Sequence, residues 1–160
     1  MTDYAEVETP IGTILVAGRA GALTHLRLPD DDGPQAPDAD WRPGAWPRAA
    51  AQIAAYFAGR LTAFDLPLAP AGTAFQRAVW TALRDIPVGH TRSYADIAAA
   101  VDRPGGGQAV GQANGRNPIP LLIPCHRVVA ADGTLGGFSG SPNVKRRLLE
   151  HEGALQPRLL

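Results

Sequence analysis

The residues of this chain best suited to do chemistry are Cys125 and its two successors, His126 and Arg127. Cys125 is the only cysteine of the chain. A titratable imidazole and a permanent cation beside a thiol favour its ionised form, and the thiolate is the nucleophile in cysteine chemistry. A lone cysteine among apolar residues is also commonly a small buried hydrophobe. The pattern therefore leaves two interpretations, a reactive thiol and an inert packed one.

Cys125 lies in a proline-rich segment, residues 117–129, which contains three prolines. Each proline fixes φ near about −65° and removes an N–H, so we expect an extended segment rather than a helix interior or a central strand. Successive side chains of an extended chain point to opposite faces. His126 would then need a bridging water or a turn to act on the thiol of Cys125.

Two predicted helices precede this segment and indicate a helix-turn-helix. Ser93 and Asp96 have the spacing of a capping box, which places Tyr94 in the first turn of one helix. A glycine-containing turn and a second helix over residues 108–115 follow. One face of this second helix carries only small residues and glutamines, namely Gln108, Gly111, Gln112 and Gly115. Such a face suits close approach to a DNA groove or a tight contact between helices.

The first 70 residues show no chemistry and predict a small supporting domain. Alternating apolar residues indicate three antiparallel strands, at 4–8, 13–17 and 23–28, and residues 47–58 have the spacing of a helix that covers one face. Residues 69–72 have the composition of a linker. We therefore expect an α+β protein with an N-terminal domain over residues 1–70 and a mostly helical C-terminal domain over residues 71–160, beginning with a helix capped by Thr73.

Charge is divided unevenly between these two parts. Residues 1–70 hold nine acidic and five basic side chains, a net charge of −4, and residues 71–160 hold six and ten, a net charge of +4. This asymmetry indicates a polyanionic partner for the C-terminal half, unless it is ordinary surface scatter. A basic cluster, Lys145, Arg146 and Arg147, lies on a predicted closing helix over 143–151, as a solvated face or a phosphate site.

Several protein classes are excluded by composition. No apolar run approaches the roughly 18 residues of a membrane span, and the N-terminus lacks the features of a signal peptide, so we expect a cytoplasmic protein. One cysteine allows no internal disulfide, and with four scattered histidines it offers no structural metal site.

The motif Pro124-Cys125-His126-Arg127-Val128-Val129 resembles the active-site signature of the O6-alkylguanine-DNA alkyltransferases, which repair DNA by single-turnover alkyl transfer. The resemblance is dense from residue 64 to 153 and loose over the first 60 residues. It includes, in the right order and spacing, residues 64–68, 73–80, 93–94, 109–111, 117–118, 136–140 and 145–153.

The resemblance implies a fold, an activity and a partner. The fold would be a ribonuclease H-like N-terminal domain followed by a winged-helix-like C-terminal domain. The activity would be irreversible, stoichiometric transfer of an alkyl group from O6-alkylguanine to Cys125, with O4-alkylthymine left open as a second substrate. The partner would be alkylated double-stranded DNA, from which the target base is flipped. A monomer without cofactor or metal is implied.

The resemblance also assigns roles around the thiol. His126 would activate Cys125 through a water, Glu152 would orient the imidazole of His126, and Asn117 would brace the segment through backbone hydrogen bonds. The hydroxyl of Tyr94 would donate to a ring nitrogen of guanine.

The remaining assignments concern guanine and DNA. The Ser139 amide would face O6, the carbonyls of Cys125 and Val128 would accept the exocyclic amine, and Pro120 would form an apolar wall. The predicted DNA-binding residues are Gln108, Ala109, Gly111, Gln112, Gly115 and Arg116.

Three other functions fit parts of the sequence. A non-catalytic lesion sensor of the alkyltransferase-like type has another residue in place of the nucleophile, whereas Cys125 is present here. A helix-turn-helix regulator leaves the set of Cys125, His126 and Glu152 unexplained. A cysteine hydrolase needs an oxyanion hole and turns over repeatedly.

Gln108 departs from the family pattern, which has an arginine that fills the gap left by the extruded base. Glutamine is shorter and uncharged, so it stacks less well and does not attract phosphate. Since base extrusion costs a few kcal/mol, we expect Gln108→Arg to repair alkylated duplex DNA faster than the parent chain. Repair rates of the two proteins on one duplex oligonucleotide test this, and an unchanged rate would contradict it.

Overall fold

An antiparallel sheet occupies the start of the chain in the computed structural model, which describes residues 1–136 and 140–155. The strands β1 (Asp3–Thr9), β2 (Gly12–Arg19) and β3 (Ala22–Arg27) are antiparallel and have the order β3-β2-β1. This confirms the predicted three-stranded sheet. A two-residue strand, β4 (Arg42–Pro43), adds a parallel edge beside β1 that the sequence did not predict.

Helix α1 (Pro47–Phe57) covers one face of this sheet, as predicted. Its buried side chains are Ala49, Ile53 and Tyr56, and burying a large apolar side chain contributes about 1.5–3 kcal/mol. A proline at the first helical position suits the start of the helix. Gly59, with φ of 77°, follows its end in the left-handed region, which glycine adopts without strain.

The rest of the chain is mostly helical. Its elements are α2 (Ala74–Leu83), β5 (Arg92–Ser93), α3 (Tyr94–Ala100), α4 (Gly107–Gly115), a 3-10 turn (Cys125–Arg127), β6 (Val128–Val129) and α5 (Pro142–His151). The capping box predicted at Ser93 is present, and the predicted N-cap Thr73 also forms a capping box, with Gln76. The indole of buried Trp80, on α2, donates a 2.9 Å hydrogen bond to the Ala113 carbonyl on α4. Helices α2, α3 and α4 pack on one another in front of the cysteine-bearing segment.

The sheet and the helical part share one hydrophobic core. Its members include Val7, Ile14 and Ile53 from the N-terminal part and Val79, Ile119 and Leu148 from the C-terminal part. The edge strand β3 also bonds the cysteine-bearing segment directly, since Leu26 N donates to Pro118 O over 2.9 Å. Within the described ranges, no helix is both long and apolar enough to cross a membrane.

The prediction of an extended segment is wrong for residues 119–127. Ile123 N bonds back to Ile119 O over 2.9 Å, Leu121 has a φ of 75°, and the chain then enters the 3-10 turn at Cys125. The cause is the side chain of Asn117, which accepts from Ile119 N over 3.0 Å and donates to Ile123 O over 2.8 Å. This bridge folds the prolines into a closed loop.

The interpretation of Lys145 as part of an exposed basic cluster is also wrong. Lys145 is fully buried, and its Nζ donates to Val128 O over 2.7 Å. It lies one residue after buried Val144 and three before buried Leu148, on the inward face of α5. Arg146 is half-buried and Arg147 is exposed.

The capping box at Ser93 gives a stability prediction. Ser93→Ala removes the acceptor for Asp96 N, now bonded over 3.1 Å, and we expect the free energy of unfolding to fall by about 1 kcal/mol. Urea unfolding of both proteins measures the change. The matched control is Thr73→Ala, which removes the equivalent bond to Gln76 N and should cost a similar amount. A loss at Thr73 with none at Ser93 would contradict the role of Ser93.

Candidate active site

Cys125 begins the 3-10 turn and is fully buried. Its carbonyl accepts from the Asn114 side chain over 3.3 Å and from Val128 N, and its own N donates to Ile123 O over 2.7 Å. Asn114 is fully buried on α4. Backbone and side-chain bonds from both flanking elements therefore fix the position of the cysteine.

His126 and Glu152 form a buried pair, as the resemblance implied for their positions. Nε2 of His126 lies 2.7 Å from Oε2 of Glu152, and both side chains are inaccessible to solvent. Because Glu152 accepts hydrogen bonds through its ionised carboxylate, Nε2 carries the proton and Nδ1 keeps its lone pair. Burial lowers the pKa of His126, against the raising effect of Glu152. The imidazole is therefore neutral near neutral pH, with Nδ1 as its basic atom.

Nδ1 of His126 is buried and has no hydrogen-bond partner among the described residues. A buried polar atom of this kind is rare in folded proteins and commonly reflects a functional requirement. In the 3-10 turn, the side chains of Cys125 and His126 do not alternate between opposite faces as they would in a strand. Nδ1 is thus an available base on the residue that follows Cys125.

Arg127 points to Glu152 rather than to the thiol. Its Nε and Nη2 donate to Oε1 and Oε2 of Glu152 over 2.8 and 3.0 Å, and its Nη1 donates to Ile86 O over 2.6 Å. Burial by itself would raise the pKa of Glu152. The hydrogen bonds and charges of His126 and Arg127 outweigh burial and lower that pKa to about 2. Glu152 is therefore a permanent anion behind His126.

Tyr56 is a site residue that the sequence analysis missed. Its hydroxyl donates to Oε2 of Glu152 over 2.6 Å, across 96 positions of sequence. In the sequence Tyr56 has only the spacing of a core residue of α1, and no local pattern marks its hydroxyl.

Lys145 brings a cation close to the thiol. Burial lowers the pKa of Lys145 to about 8, and the charge of Cys125 acts in the opposite direction. The attraction is mutual, because a nearby ammonium favours the thiolate. In the sequence Lys145 directly precedes Arg146 and Arg147, so it has the pattern of a surface basic cluster.

A cavity of about 410 Å³ opens beside α4. Its lining residues are Tyr94, Gly107, Gln108, Gly111 and Gln112. The half-buried ring of Tyr94 lies against Gly111, and a side chain at position 136 would collide with the Tyr94 hydroxyl. Gly107, Gly111 and Gly136 thus leave room for the phenol at this edge. This depression is wide open to solvent and is not an enclosed pocket.

Some predicted guanine contacts are placed differently or lie outside the described residues. Val128 O already accepts from Lys145, which leaves one lone pair for a further donor. Pro120 is buried and does not line the cavity beside α4. Ser139 lies outside the described residues. Among residues 1–136 and 140–155, no group of three His, Cys, Asp or Glu side chains could hold a metal ion.

The predicted DNA-binding residues lie on α4 and just after it. Gln108, Gln112, Gly115 and Arg116 are exposed, whereas Ala109 and Gly111 are half-buried. Val110 and Ala113 are buried against the core. The exposed face is thus free of bulky side chains over the length of the helix.

Two family descriptions together match most of the chain. Residues 3–70 match "6-O-methylguanine DNA methyltransferase, ribonuclease-like domain", and residues 74–154 match "6-O-methylguanine DNA methyltransferase, DNA binding domain".

Individual proteins agree with these matches. A methylated-DNA–protein-cysteine methyltransferase of Mycobacterium bovis is 46% identical over 159 residues, which cover 98% of this chain and 96% of that protein. The crystal structure of Mycobacterium tuberculosis O6-methylguanine methyltransferase superposes with a TM-score of 0.88 at 46% identity, covering 99% and 97% of the two chains. A structure of the M. tuberculosis protein OGT in complex with DNA gives a TM-score of 0.87 at 47% identity, covering 95% and 93%.

The low pKa of Glu152 predicts a specific loss of stability in acid. A carboxylate whose pKa falls from 4.5 to about 2 on folding contributes stability above pH 4.5 that is lost as the pH falls towards 2. The contribution is on the order of 3 kcal/mol. We expect the free energy of unfolding of Glu152→Gln, although lower because Arg127 stays buried without its partner, to depend less on pH in this window.

Urea unfolding between these pH values measures the slope for each protein. The matched control is Glu6→Gln, which removes an exposed carboxylate and should keep the parent slope. Equal slopes for Glu152→Gln and the parent chain would contradict the prediction.

Proposed function

Because this chain belongs to the O6-methylguanine DNA methyltransferase family, we propose that Cys125 accepts the alkyl group in its repair reaction. The protein repairs DNA as a methylated-DNA–protein-cysteine methyltransferase. One observation carries the choice of acceptor: an enzyme that alkylates a cysteine of its own chain has only Cys125 available.

The chemical step is a displacement at the alkyl carbon. The thiolate of Cys125 forms the S–C bond while the bond from carbon to guanine O6 breaks, and the bonding electron pair leaves with guanine. A thiol with an ordinary pKa near about 8.5 is only slightly ionised at neutral pH. Cys125 therefore needs a base to take its proton and a cation to stabilise the thiolate.

His126 and Glu152 supply the base. The lone pair of buried Nδ1 takes the thiol proton through a water, and Glu152, 2.7 Å from Nε2, stabilises the imidazolium that forms. This is the nucleophile, base and orienting carboxylate of a catalytic triad in another arrangement. Lys145, whose charge interacts with that of Cys125, favours the thiolate.

The guanine leaves as a neutral base when a proton reaches its ring. The Tyr94 hydroxyl, beside the cavity next to α4, is the donor. The Val128 carbonyl, which keeps one lone pair beside its bond from Lys145, accepts from the exocyclic amine, and Asn117 keeps the loop closed. This requires an extruded nucleotide, because atoms inside a base stack cannot reach a buried thiol.

DNA is the partner of this protein, and we propose that the exposed face of α4 contacts it. Gln108, Ala109, Gly111, Gln112, Gly115 and Arg116 form this contact, in a C-terminal domain over 71–160 with a net charge of +4. Residues 1–70 form the N-terminal domain. The protein acts on alkylated duplex DNA as a monomer in the cytoplasm.

The product is a stable thioether on Cys125. The sequence holds no second cysteine to which the alkyl group could pass. Each molecule therefore reacts once, and the reaction is stoichiometric.

Intact-mass measurement tests the acceptor. After incubation with an oligonucleotide that contains O6-methylguanine, we expect one added methyl group per molecule, and peptide mapping should place it on Cys125. Cys125→Ala should gain no methyl group and should still bind DNA, with an affinity that falls as salt rises.

The same measurement separates the other functions. A lesion sensor or a helix-turn-helix regulator would bind the oligonucleotide without any change of mass. A hydrolase would release product repeatedly while its own mass stayed constant. Any of these results would overturn the assignment of Cys125 as acceptor.

A further inference from the structure

A contact from the N-terminal helix reaches the centre of the candidate active site. Tyr56, on α1, donates its hydroxyl proton to Oε2 of Glu152 over 2.6 Å. We propose that Tyr56 is a positioning residue for alkyl transfer, which holds the Glu152 carboxylate behind His126 and limits the negative charge that it offers to the imidazole. This inference rests on the proposed role of His126 and Glu152.

The carboxylate of Glu152 accepts four hydrogen bonds, three of them at Oε2. Oε2 accepts from Tyr56, from His126 over 2.7 Å and from Nη2 of Arg127 over 3.0 Å, and Oε1 accepts from Nε of Arg127 over 2.8 Å. An ionised carboxylate has about four lone-pair sites. Each donor therefore fixes the direction of the others, and loss of one leaves the carboxylate less restrained.

Tyr56 is itself held rigidly. It is 2% exposed, and its ring lies 4.9 Å from the rings of Phe57 and His151 and 5.4 Å from that of Phe64. Its carbonyl oxygen lies 2.8 Å from Nε2 of His151, the residue before Glu152. Burial and the charge of Glu152 raise the pKa of Tyr56. The phenol is therefore a neutral donor at neutral pH and below.

The hydroxyl has a chemical effect beyond packing. The Tyr56 hydroxyl, as a hydrogen-bond donor to Oε2, offsets part of the negative charge of Glu152. That charge would otherwise stabilise the imidazolium of His126. Removal of the hydroxyl should make Glu152 a stronger acceptor from Nε2 and raise the pKa of His126. The other charged groups that act on His126 are Arg127 and Lys145, and His151 faces the Tyr56 ring; all three stay in place in a variant at position 56.

The first consequence concerns the rate. We expect Tyr56→Phe to transfer the methyl group about tenfold more slowly than the parent chain, the effect of losing one hydrogen bond to a charged group. The measurement is the single-turnover rate of methyl transfer from an O6-methylguanine oligonucleotide to Cys125, followed by intact mass, on protein shown to be folded by urea unfolding.

The second consequence concerns pH. The rate of methyl transfer should fall at low pH, because His126 becomes protonated and can no longer act as a base; this part of the pH profile is its acid limb. Because the pKa of His126 should be higher in Tyr56→Phe, the acid limb should lie at higher pH in that variant. A purely structural role would lower stability without moving this limb. The matched control is Phe57→Leu, which removes ring contacts to Tyr56 and His151 and should keep the parent rate and the parent limb.

Two further variants isolate the hydroxyl. In a Glu152→Gln background, Tyr56→Phe should lower the rate by much less than tenfold, because the partner of the hydroxyl has changed. Replacement of Tyr56 by 3-fluorotyrosine keeps the ring and strengthens the donor, so the limb should move to lower pH. If Tyr56→Phe does not fold, the 3-fluorotyrosine variant still tests the inference, through the position of its acid limb.

The outcomes are distinct. If the parent chain gains no methyl group, the proposed function and this inference are both wrong. If the parent chain reacts but the rate and acid limb of Tyr56→Phe equal those of the parent, only the inference is wrong. A slower rate with an unmoved limb, or an undiminished effect in Glu152→Gln, shows a structural role and also overturns it.

Discussion

The structure depends on one buried carboxylate. Glu152 stands at the end of α5 and accepts four hydrogen bonds, from a guanidinium, an imidazole and a phenol. A buried charge is tolerated only when it is well paired, so the elements that bring these donors must meet at this point. They are α1 and the 3-10 turn of Cys125, and their meeting sets the relative position of the sheet, the closing helix and the thiol.

The loop that carries Cys125 is the second point where the two parts of the chain meet. Asn117 closes it from within, Asn114 supports it from α4, and β3 bonds it at Pro118. The N-terminal sheet is therefore not a separate support beneath a self-sufficient site. Strand β3 of the sheet is hydrogen-bonded to the loop. Helix α1, which covers the sheet, contributes the Tyr56 hydroxyl that donates to Glu152. A change in the N-terminal core can reach the thiol through these bonds.

The charged residues of the site have different roles. Arg127 neutralises Glu152, which lets that carboxylate remain ionised in an apolar core. Lys145 lies nearer to Cys125 and favours the thiolate, while His126 stays neutral because burial disfavours its cation. A neutral base, a permanent anion behind it and a cation near the nucleophile coexist within one buried region. Burial keeps the imidazole neutral, whereas hydrogen bonds and neighbouring charges keep the carboxylate ionised.

The sequence alone determined the local elements. Alternation predicted the strands, apolar spacing predicted α1, and side-chain chemistry predicted the caps at Thr73 and Ser93, because these depend on neighbours a few positions apart. Tertiary structure alone decided the turn at Cys125, the burial of Lys145 and the bond from Tyr56 to Glu152. Periodicity shows which side chains face inward, but the polar partner of a buried group is set by packing between elements that are distant in sequence.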